Sequence, residues 1–393
     1  VDRLVEKWAP LVWLAPEEKY FPLAAEEFLQ HVHPVDVNGR IISSEDTLPI
    51  GRSSETLYLI PKNDLASLKG NTTSFLNGRN PLNEVVPVYV TVSECSRPPS
   101  IVNPCSRSYK SNVFGNCNEK NDPKKLIARR IHFHLTYWMF YPYNEGKEVC
   151  FLGKIPTPLI FNRCLGKKRT FGNHIGDFEH VSITFDEDYV PSELFLAIHD
   201  IGAYYTYDSI SKIFKYSREL VRKGIIQRAE FPPVVRTFKG RPVLFAAKGS
   251  HVPSELFLAI HDIGAYYTYD SISKIFKYSR ELVRKGIIQR AEFPPVVRTF
   301  KGRPVLFAAK GSHGLWSAPG QFPYLRVPKL YDLNGYGTPW KTWKSFHVYR
   351  IGYDPPPVWM KYLGRWGNPK FKCFLFNRLG ICEFSEGPYG ISR

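Results

Sequence analysis

Along this chain the apolar residues come in short runs rich in β-branched and aromatic side chains, separated by Pro, Gly, Asn and Ser. That is the patterning of strands and turns, not of long helices carrying an apolar stripe. Leu11–Leu14 reads as a buried strand, and Leu57–Ile60, Val86–Val92 and Ile131–Tyr141 read as further strands. Two short helices accompany them. Val1–Trp8 is an amphipathic piece stopped by Pro10, and Ala24–Val32 carries Glu26 and Glu27 where the positive end of a helix favours them. Strands dominate without the strand–helix alternation of parallel sheets, so the pattern predicts a mainly-β fold. The expected form is one large β-sandwich over residues 1–393 with a few peripheral helices.

Comparing the chain with itself exposes a second level of pattern. Val190–His251 recurs without a single difference as Val252–His313, an internal tandem duplication with a period of 62 residues. One perfect doubling is unlike a solenoid, whose units drift and recur several times. In the first copy the pattern predicts strands at Leu194–Ile198 and Ala203–Tyr207, then a helix with Ile210, Ile213, Phe214, Leu220 and Val221 on one face and Gly224 as its stop. Strands at Val234–Phe238 and Pro242–Ala247 follow. Only one copy can fill each strand position between Val181–Phe185 upstream and Gly314–Pro319 downstream. Either the start of the first copy and the end of the second are used, with the middle looped out, or one whole copy is extruded as surplus. Extra loop length is tolerated because closure entropy grows slowly with length.

Composition then narrows the surroundings. Lys and Arg number 53 against 36 Asp and Glu, a formal charge of +17. Each copy of the doubled segment holds ten basic and five acidic residues, so removing one copy takes the charge from +17 to +12. Such an excess draws polyanions, which makes an anionic membrane surface or a glycan the expected partner, although it also serves plain solubility. Nucleic acid is the less favoured partner. The basic, aromatic run Trp340–His347 could face a membrane or a nucleic acid, but reads first as a strand with solvated lysines.

Seven cysteines at 95, 105, 117, 150, 164, 373 and 382 fall in two groups with no Cys-x-x-Cys pair. Their loops are rich in Pro, Ser and Asn, where disulfides staple secreted domains, and Cys373 with Cys382 reads as a hairpin staple. An odd count leaves at least one thiol free or intermolecular. Asn71-Thr72-Thr73 is a glycosylation sequon, and the chain opens at Val1 as a processed chain would. These features together predict a glycoprotein that is secreted or held in the lumen of the secretory or vacuolar pathway. No apolar run reaches the roughly 18 residues of a membrane helix, so no spanning helix is expected.

One stretch concentrates the chemistry. In Gly172–Phe185 a glycine-bearing loop runs into a strand, and alternation puts Asp177 and Glu179 on one face and Phe178 and His180 on the other. Two carboxylates so placed on an otherwise apolar strand are costly without a positive partner. With His174 from the preceding loop they make an open site for a hard divalent cation, Mg or Ca rather than Zn, and His180 completes the candidate metal set. The alternative is an ion-pair network with Lys167, Lys168 and Arg169, leaving His180 as a core histidine. His132 and His134 share a strand face that reads as an ordinary polar face. The catalytic candidates are His313, in the small-residue loop Ala308–Gly314, and His199 with its copy His261, each at the end of a strand. His251, the copy of His313, lacks the Gly-Leu-Trp that follows His313. No phosphate-binding loop, dinucleotide fingerprint, GxSxG elbow or HExxH occurs, so no nucleotide cofactor is expected.

Four separated segments carry a resemblance. Ala9-Pro-Leu-Val-Trp-Leu-Ala-Pro-Glu-Glu-Lys-Tyr-Phe-Pro22, Gly176-Asp-Phe-Glu-His180, Gly311-Ser-His-Gly-Leu-Trp316 and Gly364-Arg-Trp-Gly-Asn-Pro369 together resemble the vacuolar protein sorting-associated protein 62 family. The similarity runs nearly end to end, apart from the cysteine-rich stretch and the extra repeat copy. The second segment is also similar, more loosely, to the Gly-His-Arg-His-Asp-Trp-Glu heptapeptide of necrosis-inducing cytolysins, where acidic and histidine side chains hold a divalent cation on a β-sandwich. Here Phe178 replaces the tryptophan, and Ile175-Gly176 stand in place of Arg-His. The sorting family implies a fold and a trafficking link and assigns no reaction. The leading expectation is therefore a secreted or lumenal binding protein that engages, and can perturb, membrane surfaces or engages glycans through a cation held by Asp177, Glu179 and His174. Its rivals are a metal-dependent hydrolase in which His313 or His199 moves protons, and a structural or trafficking protein without catalysis.

Overall fold

The computed structural model describes residues 1–42, 48–96, 131–198, 201–216 and 294–391, with breaks at 154, 158–162, 326–329 and 374–381; between 217 and 293 it describes only the backbone of short strands. The expected mainly-β architecture is present. The larger sheet has eight strands in the order Val296–Val297, Ile213–Tyr216, Ile201–Asp208, Pro191–Ile198, His174–Phe185, Ile131–Asn144, Val88–Ser96 and Phe346–Arg350. Neighbours are antiparallel except the last pair, which is parallel. A second sheet joins Thr299–Phe300, Arg303–Ala308, Leu11–Leu14 and Thr338–Lys341, and Leu315–Trp316 pairs with Arg303–Ala308 off that path.

Alternation decides how the sheets pack. Val90, Leu135, Tyr137, Val181, Ile183 and Leu194 of the larger sheet meet Val12, Leu14, Leu306, Ala308 and Trp340 of the second in one buried cluster, which makes the two sheets the layers of a sandwich. The opposite face of the larger sheet is also covered. There Tyr89, Phe140, Tyr143 and Ile175 pack with Phe28, Leu59, Trp359 and Trp366. Phe28 belongs to the helix Ala25–Gln30, close to the expected span, and burying such a side chain contributes about 1.5–3 kcal/mol. The helix Asp2–Trp8 likewise buries Val5 and Trp8 and ends ahead of Pro10.

Both copies of the doubled segment supply strands to the two sheets. Pro191–Ile198, Ile201–Asp208 and Ile213–Tyr216 come from the first copy, Val296–Val297 and Arg303–Ala308 from the second, and the join is the pairing of Phe214 with Val297. The remaining strands repeat that pairing among themselves, with Phe276 opposite Val235 and Phe257 opposite Tyr266. One expectation fails here. Ile213–Tyr216 is a strand and not part of a helix, because Asp208 accepts from the N–H groups of Ile210 and Ser211 to close a turn. Phe214 then packs inward while Lys215 faces solvent, a two-residue period that suits β-branched and aromatic side chains. Leu220, Val221 and Gly224 lie outside the described residues.

Disulfides join Cys150 to Cys164 and Cys373 to Cys382, the second being the expected hairpin staple. Both agree with a lumenal or secreted location. Among the described residues no helix is long and apolar enough to cross a membrane.

Candidate functional site

The segments that stand out in the sequence converge in space, although up to about 350 residues separate them. Beyond the strand Leu11–Leu14 the chain turns so that Glu18 accepts a hydrogen bond from the Gly311 N–H at 2.8 Å, and the Tyr20 carbonyl accepts from His313 Nε2 at 2.9 Å. Glu17 pairs with Lys310 at 3.2 Å. From the other side, Asn368 accepts from the Ile175 N–H at 2.9 Å. Gly176 has φ +66, and a Cβ there would stand 1.8 Å from the Trp366 carbonyl oxygen, so the close approach of these two backbones requires glycine.

This clamp presents a small polar group on the sandwich-facing side of the strand His174–Phe185. Asp177 and Glu179 are buried there side by side, as alternation predicts. Opposite Asp177 in the register is Tyr141, fully buried, with the His313 ring stacked on it at 3.9 Å and 7°. His313 Nδ1 stands 3.8 Å from Asp177 Oδ2. Among the described residues, neither His313 Nδ1 nor the Tyr141 hydroxyl has a hydrogen-bond partner, although both are buried. Buried polar groups are rarely left so. Burial, and then the charges of Glu179, Glu18 and Asp177, hold the Tyr141 hydroxyl well above its ordinary pKa, so it remains a neutral donor among three carboxylates. His313 also has φ 58, an uncommon backbone conformation for a residue with a side chain.

The loop that carries His313 is locked from behind. Asp332 is fully buried and accepts from Ser312 Oγ at 2.8 Å and Trp316 Nε1 at 2.9 Å, and it pairs with Lys147 Nζ at 3.0 Å. Lys147 also donates to the Lys310 carbonyl. In the nearby basic run, Lys168 pairs with Glu148 at 2.8 Å and Arg169 with Glu383 at 3.6 Å.

Of the four expected metal residues, the structure brings together only Asp177 and Glu179. The left-handed Gly176 interrupts the alternation, and His174 Nδ1 sits 2.7 Å from the Gly176 carbonyl oxygen. His180 lies on the opposite face against Trp138, with ring centroids 4.4 Å apart. Of the expected catalytic histidines, His313 reaches Asp177, and His199 and His261 lie outside the described residues. His134 bonds Thr184 at 3.0 Å, as a polar-face histidine would. Tyr141 and Glu18 were not singled out as site residues. Tyr141 could be found only from strand register, whereas Glu18 sits in one of the four segments. Among the described residues, no three His, Cys, Asp or Glu side chains stand at the spacing of a complete metal centre.

No family model matches the chain, and no solved structure matches it. Among curated proteins it is similar to the vacuolar protein sorting-associated protein TDA6 of Saccharomyces cerevisiae, with 26% identity over 244 residues. The match covers 62% of this chain and 44% of the yeast protein, so the chain spans less than half the length of that relative. It is thus a distant relative of a protein associated with vacuolar sorting. A likeness to the necrosis-inducing cytolysins is not shown.

Proposed function

We propose that this chain is a recognition protein of the vacuolar-sorting type, lumenal or secreted, whose buried acidic site takes a divalent cation and through it an anionic group on a membrane surface or glycan. The trafficking part of this reading agrees with the distant relationship to the yeast sorting protein. The observation that carries the site is the pair of buried, unpartnered atoms, His313 Nδ1 and the Tyr141 hydroxyl, facing Asp177. His313 donates its Nε2–H to the Tyr20 carbonyl, and in the neutral ring that leaves Nδ1 as the lone-pair nitrogen. Metal-binding imidazoles are anchored in this way. Asp177 would supply an anionic oxygen beside that nitrogen, with Glu179 adjacent. Two or three protein donors leave positions for the oxygen atoms of a ligand, and Tyr141 can donate to one of them. An imidazole among carboxylates widens the expected ions from Mg and Ca towards Mn and Zn.

Elemental analysis of protein purified without chelator tests this directly. About one divalent ion per chain is expected in the wild type, with loss in Asp177→Asn and in His313→Gln. A metal-free native protein would overturn the reading, as would chelator-sensitive glycan or lipid binding that Asp177→Asn leaves unchanged. The hydrolase reading has one observation in its favour: with Nε2 anchored, Nδ1 is a base aimed at the carboxylates. Chelator-sensitive turnover of a phosphoester or glycoside panel, abolished in His313→Gln, would select it.

A further inference from the structure

The floor of the site has a second side. Trp340 packs edge-on against Tyr141, with ring centroids 6.4 Å apart, and on its far side forms the base of a surface cleft between Thr338–Lys341 and the 81–86 loop. Thr338–Lys341 is an edge strand of the second sheet. Two aliphatic side chains of the loop project into water beside the cleft, Leu82 at 61% exposure and Val85 at 72%. A tight turn fixes them there. The Asn80 side chain accepts from the Leu82 N–H, and the Asn80 carbonyl accepts from the N–H groups of Asn83 and Glu84.

The charge around this apolar tip is one-sided. Lys341 and Lys344 line the cleft, both exposed, and neither has an ion pair among the described residues. The one carboxylate lining it, Glu84, is drawn to Arg79, 3.6 Å away. Aliphatic tips on a rigid turn flanked by free ammonium groups match the interface of an anionic bilayer, where the tips enter the headgroup layer and the lysines meet phosphate. A glycan would want an exposed aromatic face, and Trp340 is only 2% exposed.

We propose that the cleft lined by Leu82, Val85, Lys341 and Lys344 docks the chain on the anionic phospholipid surface of a membrane. This docking is separate from the cation site and does not need it. Co-sedimentation of the full chain with phosphatidylcholine vesicles, with and without phosphatidylserine, tests it. The wild type is expected to bind the phosphatidylserine vesicles and not the neutral ones, in EDTA as well as without it. Lys341→Gln with Lys344→Gln should weaken binding about 25-fold, about fivefold per lysine. Leu82→Ser with Val85→Ser should weaken it too, in EDTA as well as without it. A far-ultraviolet circular dichroism spectrum matching the wild type shows, for each variant, that any loss is of binding and not of fold. Wild-type binding by the double lysine variant would overturn the proposal. So would equal binding to neutral vesicles, or capture by soluble heparin without any vesicle binding. Loss of binding in EDTA would overturn it too and assign the membrane contact to the cation site instead.

Discussion

Asp332 and Asp177 are two buried carboxylates served by consecutive residues of one loop, and they are treated in opposite ways. Asp332 receives Ser312, Trp316 and Lys147, all within 3.0 Å. Asp177 meets His313 Nδ1 at 3.8 Å and accepts no side-chain hydrogen bond among the described residues. The saturated carboxylate fixes the loop, and the fixed loop holds an imidazole against the unsaturated one. A protein that only needed to neutralise buried charge would have treated both alike. The contrast therefore separates the group that supports the site from the group that constitutes it.

Substitution can break or sharpen this contrast. Asp332→Ala leaves Lys147 without its buried counter-ion and should destabilise by about 3–5 kcal/mol, read from the urea denaturation midpoint. Ser312→Ala removes one donor to Asp332 and should cost about 1 kcal/mol in the same measurement. Asp177→Asn should stay within about 1 kcal/mol of the wild type while losing the cation. If Asp177→Asn instead falls as far as Asp332→Ala, the two carboxylates are equivalent and the contrast is gone. The smallest effect is alkaline. Burial, then Glu145 and Glu18, push the Tyr20 hydroxyl from 10.0 up to about 12. Its folded pKa lies above the unfolded one, so the stability it contributes is complete below pH 10 and is lost as pH rises through about 12. Denaturation midpoints across that window should fall, and Tyr20→Phe should flatten part of the fall.

Much of this arrangement was legible in the chain alone. The two-residue period of Val181–Phe185 places Asp177 and Glu179 on the buried side, and the structure keeps them there. The same period sends His180 to the other side, where it rests on Trp138. His174 escaped such reasoning because it was expected from a loop free to turn towards Asp177, whereas it opens the strand itself and its Nδ1 sits 2.7 Å from the Gly176 carbonyl oxygen. Tyr141 escaped it because its place opposite Asp177 depends on strand register, a long-range property that local pattern does not carry. The helix expected through Ile213 and Phe214 failed for a related reason. A short apolar run fits either period, and the partner strand decides.

The doubled segment bears on the site itself. Asp177 precedes the first copy, and His313 is the last residue of the second, so the two groups are stitched together across the whole doubled stretch. Excising any 62 consecutive residues from within that stretch yields one and the same chain of 331 residues, 393 less 62. In it the histidine now numbered 251 would precede Gly314-Leu-Trp and inherit the imidazole's post, and Val235 would take the berth of Val297 beside Phe214. A chain that gained or lost one copy by recombination would thus still carry every residue type that the larger sheet's join and the carboxylate–imidazole pair use.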